Sequence, residues 1–280
     1  MTITRRDGLI LASTAALTAK ETMSAAAASE TPMTTPTVKS VTPALFDAWI
    51  RMRGGEDGPA YWYSEGLVRS MLDGSVDSRM LGVETWITPK ELRTPTSAVS
   101  ISRKVYFFMA RDQDAMMLDQ ATGKPRRPSI FAYQVRTFTL IDGKIDYKVE
   151  SHDTRGTRMG GDGSVYTVNA MGDYVHVNYA VFPKRPGTTG GSGEVYDYFD
   201  HGPRIAEMPQ RYQGTWTGGS TSGQLSNMAH WRYPTFDAMP NEWLKARIRK
   251  DGPMWMEPPK TMAEIEKLRP TSVTTALIPA

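Results

Sequence analysis

Short runs rich in Val, Ile, Tyr, Phe, Trp and Thr, separated by glycine and charged turns, fill the chain from Pro59 to about His201. Such runs are typical of β-strands, and the connections between them are too short for crossover helices. The pattern therefore predicts an antiparallel meander. The predicted strands are residues 60–68, 80–88, 98–110, 130–141, 144–152, 164–170, 174–183 and 194–200.

Turn residues punctuate this pattern at defined places. Asp142-Gly143 lies between the fourth and fifth predicted strands and is a strong two-residue hairpin signal, since its glycine tolerates positive φ. Residues 119–123, Asp-Gln-Ala-Thr-Gly, predict a second turn, in which Asp119 caps the loop backbone. The Gly, Ser and Thr tracts at 187–193 and 218–223 are predicted to be loops, and no helix pattern follows them to form a phosphate cradle.

After Pro240 the hydrophobic period changes to that of helices, with one short helix predicted over 243–248 and a second over 262–268. Seven or eight strands in a row leave exposed edges, which closure into a barrel removes. The fold class predicted is mainly β: an antiparallel, barrel-like, lipocalin-like sheet with short C-terminal helices packed across it.

The first thirty residues differ in kind from the rest of the chain. Arg5-Arg6 precedes an uncharged stretch at 8–19 and an alanine cluster at 25–28. A basic region, an apolar region and a small-residue cleavage zone in this order are typical of a secretory leader, and the paired arginines match the twin-arginine signal. Residues 1–28 are therefore predicted to be a twin-arginine signal peptide. The alternative is a cytoplasmic terminus that happens to contain Arg-Arg.

This leader predicts a periplasmic protein that meets the membrane only during export. The Thr/Pro-rich residues 29–43 are predicted to be a flexible lead-in. Residues 44–280 are long enough for one substantial core, and we expect a single β-rich domain that ends in a helical segment.

Composition narrows the possible chemistry. The chain has no cysteine, so a disulfide framework, a thiolate metal site and a cysteine nucleophile are all excluded. It carries 33 basic and 30 acidic residues; without the three basic and two acidic residues of the leader, 30 and 28 remain, a formal charge of +2. That balance argues against nucleic acid as a partner. Because no His pair, HExxH, P-loop, Rossmann or nucleophile-elbow pattern occurs, we expect neither a metal nor a cofactor. The alternative is a zinc or iron site built from residues of distant strands.

Strand alternation singles out one candidate site, in the seventh predicted strand. One face of that strand is apolar and aromatic: Val175, Val177, Tyr179 and Val181. The other face mixes aromatic and polar side chains: Tyr174, His176, Asn178, Ala180 and Phe182. A mixed face of this kind is typical of a ligand cavity, in which His176 would be the general base and Asn178 a hydrogen-bond donor. The alternative is that this face meets solvent.

Other candidates lie on neighbouring segments. Tyr198 and His201 are close to carboxylates in sequence, so either could be the acid that opposes His176, although strand tyrosines also serve in packing. His152 shares one face of its strand with Glu150, which predicts an outer face that is exposed to solvent. His230 follows a glycine-rich loop, which is either a lid over an opening or the place where the C-terminal helices dock.

The order of several short motifs resembles the secreted bacterial family known as domain of unknown function 1838. The motifs are the twin-arginine leader, Arg51-Met52-Arg53-Gly54, Asp57-Gly58, Tyr61-Trp62-Tyr63, Gly66 and residues 119–123. The resemblance covers roughly residues 43–270. It indicates a divergent branch, since the family has a second turn, with Asn-Pro and Thr-Gly, after the first one, and this sequence lacks that second turn. It implies a secreted, β-rich single domain and assigns no catalytic residue.

Two functions are compatible with these features. The first is a cofactor-independent lyase or isomerase that uses acid–base catalysis on a small aromatic or apolar molecule inside the barrel. His176 would be the base, Tyr174 and Asn178 would orient it, and Tyr198 or His201 would be the acid. The second is a non-catalytic, lipocalin-like periplasmic protein that carries such a molecule. The sequence favours the enzyme narrowly.

Overall fold

A computed structural model of the chain describes residues 40–55, 58–153, 156–162, 164–171, 174–181, 193–200, 210–217 and 223–269. The structure is mainly β, as the sequence predicts, with an antiparallel sheet curled into a half-barrel and three short helices. The helices are α1 Pro43–Gly54, α2 Glu242–Asp251 and α3 Met262–Leu268. The strands are β1 Ala60–Ser70, β2 Val76–Ile87, β3 Arg93–Thr94, β4 Ser97–Met109, β5 Ser129–Ile141, β6 Lys144–Asp153, β7 Gly156–Asp162, β8 Ser164–Met171, β9 Tyr174–Val181, β10 Gly193–Asp200, β11 Arg211–Thr217 and β12 Gln224–Tyr233.

The sheet is the predicted antiparallel meander. Its strand order is β7-β6-β5-β4-β2-β1-β12-β11-β10-β9-β8, with the short β3 paired to β4. The two ends of this order are neighbours in the chain, because β7 ends at Asp162 and β8 begins at Ser164. Two Cα–Cα steps span at most about 7 Å, so the sheet must curl enough to bring Asp162 and Ser164 close together, although the described β7 and β8 are not paired.

Two predicted turns are confirmed. Asp142 (φ 50°) and Gly143 (φ 71°) join β5 to β6, and a two-residue hairpin turn of type I′ needs positive φ at both positions. In the second turn, the Asp119 carboxylate accepts hydrogen bonds from the backbone N–H groups of Ala121 and Thr122 at 3.1 and 2.9 Å. Local side-chain chemistry therefore sets both turns.

Helix α1 begins inside the predicted flexible lead-in. The Thr42 hydroxyl accepts a hydrogen bond from the backbone of Leu45 at 3.2 Å, and Pro43 occupies the first turn, where its missing N–H costs nothing. One stripe of the helix is buried: Phe46, Trp49, Ile50 and Arg53. Just before it, the backbone N–H of Val41 donates to the carbonyl of Gly143. The described end of the lead-in is therefore packed against the sheet.

The two faces of the sheet are covered by different helices. Helix α1 packs on the face that we call the inner face, where side chains from β6 and β9 meet in one hydrophobic cluster; only the inside of a curled sheet allows this. The two helices predicted after Pro240 are confirmed, and they lie on the opposite, outer face. The C-terminal segment covers this face with four buried side chains: Phe236, Leu244, Ile248 and Trp255. No helix in the described residues is long and apolar enough to cross a membrane.

Some sequence predictions were wrong. His152 and Glu150 do not form a wet face: His152 is buried edge-on against Tyr133, and Glu150 binds Arg269 at the end of α3. His230 itself lies in strand β12, in the middle of the sheet. The glycine-rich residues 218–222 before it lie outside the described residues, so the lid hypothesis stays a prediction. The predicted signal peptide and the loop at 187–192 lie outside the described residues.

Candidate functional site

A buried carboxylate, Glu84, lies at the centre of the inner face. On β2 it is directly opposite Trp62 of β1 and Lys104 of β4. Glu84 is 1% exposed and Lys104 is 6% exposed. One carboxylate oxygen accepts hydrogen bonds from Lys104 Nζ and Trp86 Nε1, each at 2.8 Å, and the other accepts from the Tyr106 hydroxyl. All of these donors belong to β2 and β4.

A second group of side chains approaches Glu84 from β12 and β11. His230 is 1% exposed, and its Nδ1 lies 2.6 Å from the Ser64 hydroxyl and 3.5 Å from Glu84. Its ring stacks on Tyr212, with centroids 3.8 Å apart. Among the described residues, His230 Nε2 has no hydrogen-bond partner. This imidazole can therefore offer one hydrogen bond to a ligand.

Three cations surround the indole ring of Trp86. The Arg53 guanidinium, the Lys104 ammonium and the Arg136 guanidinium lie 5.2, 4.7 and 4.4 Å from its centroid. Arg53 comes from α1 and also lies 4.1 Å from the ring of Tyr212. Cation–π attraction of this kind strengthens where water is excluded. We call the set Ser64, Glu84, Trp86, Lys104, Tyr106, Tyr212, His230, Arg53 and Arg136 the inner cluster.

Glycines let these side chains come together. The ring of Tyr106 lies over Gly82 of the neighbouring strand, where an added Cβ would be 2.2 Å from a ring carbon. Only this absence of a side chain leaves room for the tyrosine to reach Glu84. At the end of α1, a Cβ on Gly54 would lie 1.8 Å from the Thr88 hydroxyl, so a glycine is also needed to dock the helix that carries Arg53.

Burial and neighbouring charges shift the pKa values of the cluster in different directions. Burial lowers the pKa of Lys104 to about 7, helped by Arg136 and Arg53 and opposed by Glu84. Burial alone would raise the pKa of Glu84, but Lys104 and His230 hold it well below its usual range. Burial lowers the pKa of His230 to about 3 against the attraction of Glu84.

The two phenols shift the other way. Burial, followed by the charge of Glu84, raises the pKa of Tyr106 and of Tyr212 well above the usual value. Near neutral pH the cluster therefore holds an ionised Glu84, a neutral imidazole and two protonated phenols. Burial brings the pKa of Lys104 far below that of an exposed lysine, toward the pH at which a general base works.

The structure places the predicted His176 site away from this cluster. Across the sheet, Val177 is directly opposite Asp197, and Asp197 is directly opposite Tyr212 of the inner cluster. Val177 therefore lies on the inner face, where it is buried. His176 lies on the other face of β9 and is half-buried, and burial lowers its pKa.

The remaining predicted site residues are described only by their place in the sheet or not at all. His176 is opposite Tyr198 of β10. Tyr174 and Asn178 share its face by strand alternation. His201 lies outside the described residues. In the register of the sheet Tyr198 is thus directly opposite His176, and the catalytic roles assigned to these residues stay predictions.

Sequence reasoning missed most of the inner cluster. Glu84 and Lys104 are charged residues in the middle of long apolar strands, in phase with Trp62 and Trp86. Charged residues in phase with tryptophans on adjacent strands were the signal that could have identified this face. The sequence draws attention to His230 only through the glycine-rich loop before it, which suggests a lid or a docking place for the C-terminal helices.

A metal site finds no support in the part of the chain that the structure describes, which holds no group of three or more His, Asp or Glu residues suited to an ion. No family model, curated protein or solved structure matches this chain. The fold and the inner cluster define a curled, mainly β protein with a charged interior. The resemblance to domain of unknown function 1838 stays an expectation.

The motif residues of that resemblance do have structural roles in this chain. Arg53 reaches into the inner cluster, and its backbone carbonyl accepts a hydrogen bond from Trp62 Nε1 at 3.1 Å. Gly66 lies against β12, where an added Cβ would be 2.0 Å from the carbonyl oxygen of Asn227. The motifs thus shape the inner face and its packing.

Proposed function

We propose that the inner cluster is the active site of a cofactor-independent lyase or isomerase, which moves a proton on a small aromatic or apolar molecule. The observation that carries the proposal is Lys104: a buried lysine, 2.8 Å from Glu84, with a pKa of about 7. A general base works best when its pKa is near the working pH, and burial of a lysine beside other cations is one way to reach that value.

The other groups have complementary roles. The Lys104 amine takes a proton from a substrate carbon, and Glu84 stabilises the ammonium that forms. An isomerase returns this proton to a different carbon of the substrate, whereas a lyase uses it to protonate the leaving group. His230 is neutral at this pH and can donate or accept one hydrogen bond at Nε2. The rings of Trp86 and Tyr212 offer apolar surface to the substrate.

The proposal is tested by a ligand screen followed by product analysis. Small aromatic and apolar molecules are ranked by the shift that each produces in the thermal unfolding midpoint. Each stabilising compound is then incubated with the protein and analysed by NMR. For a compound that is converted, kcat should rise with pH through a limb near 7, because only the neutral Lys104 amine accepts a proton.

Lys104→Arg is the decisive variant, since it keeps the positive charge beside Glu84 but removes a base that is neutral at this pH. We expect at least a 100-fold loss of kcat with retained ligand binding. Lys245→Arg is the matched control: Lys245 is also buried, but it binds the carbonyl of Asp237 on the outer side. Undiminished turnover in Lys104→Arg would refute the assignment.

His176→Gln distinguishes this site from the one predicted from sequence alone. Loss of turnover in His176→Gln, with full turnover in Lys104→Arg, would move the active site to the other face of β9. A ligand that stabilises the protein and is always recovered unaltered would favour the alternative function, a binding protein that carries the molecule.

Export is proposed separately, on the twin-arginine pattern of residues 1–28. Residues 1–35 fused to a reporter should deliver it to the periplasm, and changing Arg5 and Arg6 together to Lys should stop delivery. Export that survives this change would exclude the twin-arginine route.

A further inference from the structure

Arg136 differs from Lys104 in its partners. On β5, it places its guanidinium over Trp86, and its Nη2 donates to Gln134 Oε1 at 2.9 Å. Burial raises the pKa of the Tyr147 phenol, and Arg136 is close enough to oppose this rise. Lys104, by contrast, is paired with Glu84. Among the described side chains, Arg136 forms no ion pair with a carboxylate.

Two polar groups beside Trp86 are buried without a hydrogen-bond partner in the described part of the chain. The first is Arg136 Nη1 itself. The second is the hydroxyl of Ser102, a fully buried residue that is directly opposite Trp86 on the same face. Buried polar groups are almost always hydrogen-bonded, so two such donors beside one aromatic ring indicate a place for an acceptor.

We propose that Arg136 binds the carboxylate of the ligand, so that the substrate class is a small aromatic or apolar carboxylic acid. This inference rests on the proposed function for the location of the site. It concerns recognition of the ligand, which is measured by binding and does not require turnover. A guanidinium presents paired N–H donors in a plane that match a carboxylate. The Ser102 hydroxyl adds one donor, and the ring of the acid extends along Trp86.

A carboxylate suits this site better than a phosphate. One guanidinium and one hydroxyl supply the donors for two oxygens, whereas a phosphate presents three oxygens and about two negative charges. Lys104, another cation beside Trp86, is already engaged by Glu84. The site is therefore expected to prefer the singly charged group.

The test compares acids with their neutral amides of nearly the same shape. Benzoate, phenylacetate and cinnamate, the three corresponding amides and phenyl phosphate are titrated into the full chain by calorimetry. We expect at least one acid to bind with a Kd at least tenfold lower than that of its amide and of phenyl phosphate. Equal affinity within every pair, no binding by any acid, or tighter binding of the phosphate would overturn the proposal.

Variants then assign the preference to Arg136. Arg136→Gln should reduce the ratio of amide Kd to acid Kd to near one, and Arg136→Lys should keep part of it. Arg126→Gln is the matched control, because Arg126 is a partly exposed arginine that packs on Phe108 and pairs with Asp77. It should keep the full preference.

The outcomes separate this inference from the proposed function. A full preference retained in Arg136→Gln contradicts the inference. If Arg136→Gln does not fold, Arg136→Lys provides the test. Lysine lacks the planar fork of arginine, so a full preference for the acid in Arg136→Lys would also contradict the inference. Acids that bind with the expected preference but are recovered unchanged support recognition by Arg136 and contradict catalysis.

Discussion

His230 provides a quantitative prediction, because its neutral form is built into the fold. Its pKa falls from 6.5 to about 3 when it is buried, and no charged partner compensates fully. Between these two values the unfolded chain binds a proton that the folded protein does not. Stability must therefore fall as the pH decreases below 6.5. His230→Gln removes this titration and keeps a polar group beside Ser64 and Glu84.

The size of the effect follows from the two pKa values. Linkage gives a loss of roughly 2 kcal/mol from this one group between about pH 7.5 and about pH 5. Loss of the stacking on Tyr212 destabilises the variant at every pH, so it cancels when the two pH values are compared. Titration of His176, whose pKa is also lowered, is common to both proteins.

Urea unfolding followed by tryptophan fluorescence measures the free energy of unfolding at the two pH values. We expect the wild-type protein to lose roughly 2 kcal/mol more than His230→Gln. Equal losses would refute the reasoning. So would an NMR titration in which the His230 imidazole protonates near pH 6.5.

Three further changes have expected outcomes from the same structure. Glu84→Gln leaves Lys104 buried without its counter-charge, so urea unfolding should show a loss of roughly 3–5 kcal/mol, and adding Lys104→Met should recover part of it. Gly82→Ala places a Cβ 2.2 Å from the ring of the tyrosine that binds Glu84; a loss of roughly 1–3 kcal/mol is expected, and an unchanged thermal midpoint would contradict it. Gly143→Ala should cost more than Gly74→Ala, since both have φ near 70° but only at Gly143 does the new Cβ meet another residue; equal costs in thermal unfolding would show that this contact is harmless.

Local chemistry made much of the secondary structure predictable. The eight predicted strands all correspond to strands of the sheet, and the Asp142-Gly143 turn has the predicted conformation, because alternation and turn propensity act over a few residues. Helix α1 was missed although Thr42-Pro43 is a start signal, since the Thr/Pro-rich segment before it suggested a flexible lead-in. Strands β11 and β12 were missed because they adjoin glycine-rich segments that were interpreted as loops.

The sequence by itself determined which residues share a face of each strand. Alternation separates His176 from Val177 in any sheet, and it places Glu84 with Trp86. It does not determine which face lies inside, because that depends on the direction in which the whole sheet curls and on which helix covers each side. Tertiary structure put Val177 on the inner face and His176 on the other.

Tertiary structure brought the parts of the inner cluster together. Arg53, Glu84 and His230 come from α1, β2 and β12, elements far apart in the chain that meet only after β1 pairs with β12 and the sheet curls. Their pKa values also depend on that meeting, since burial and neighbouring charge exist only in the folded state. Strands and turns can be predicted from the sequence because they depend on forces between residues that are close in the chain. The charged interior depends on contacts between residues that are far apart in the chain, and these contacts form only on folding.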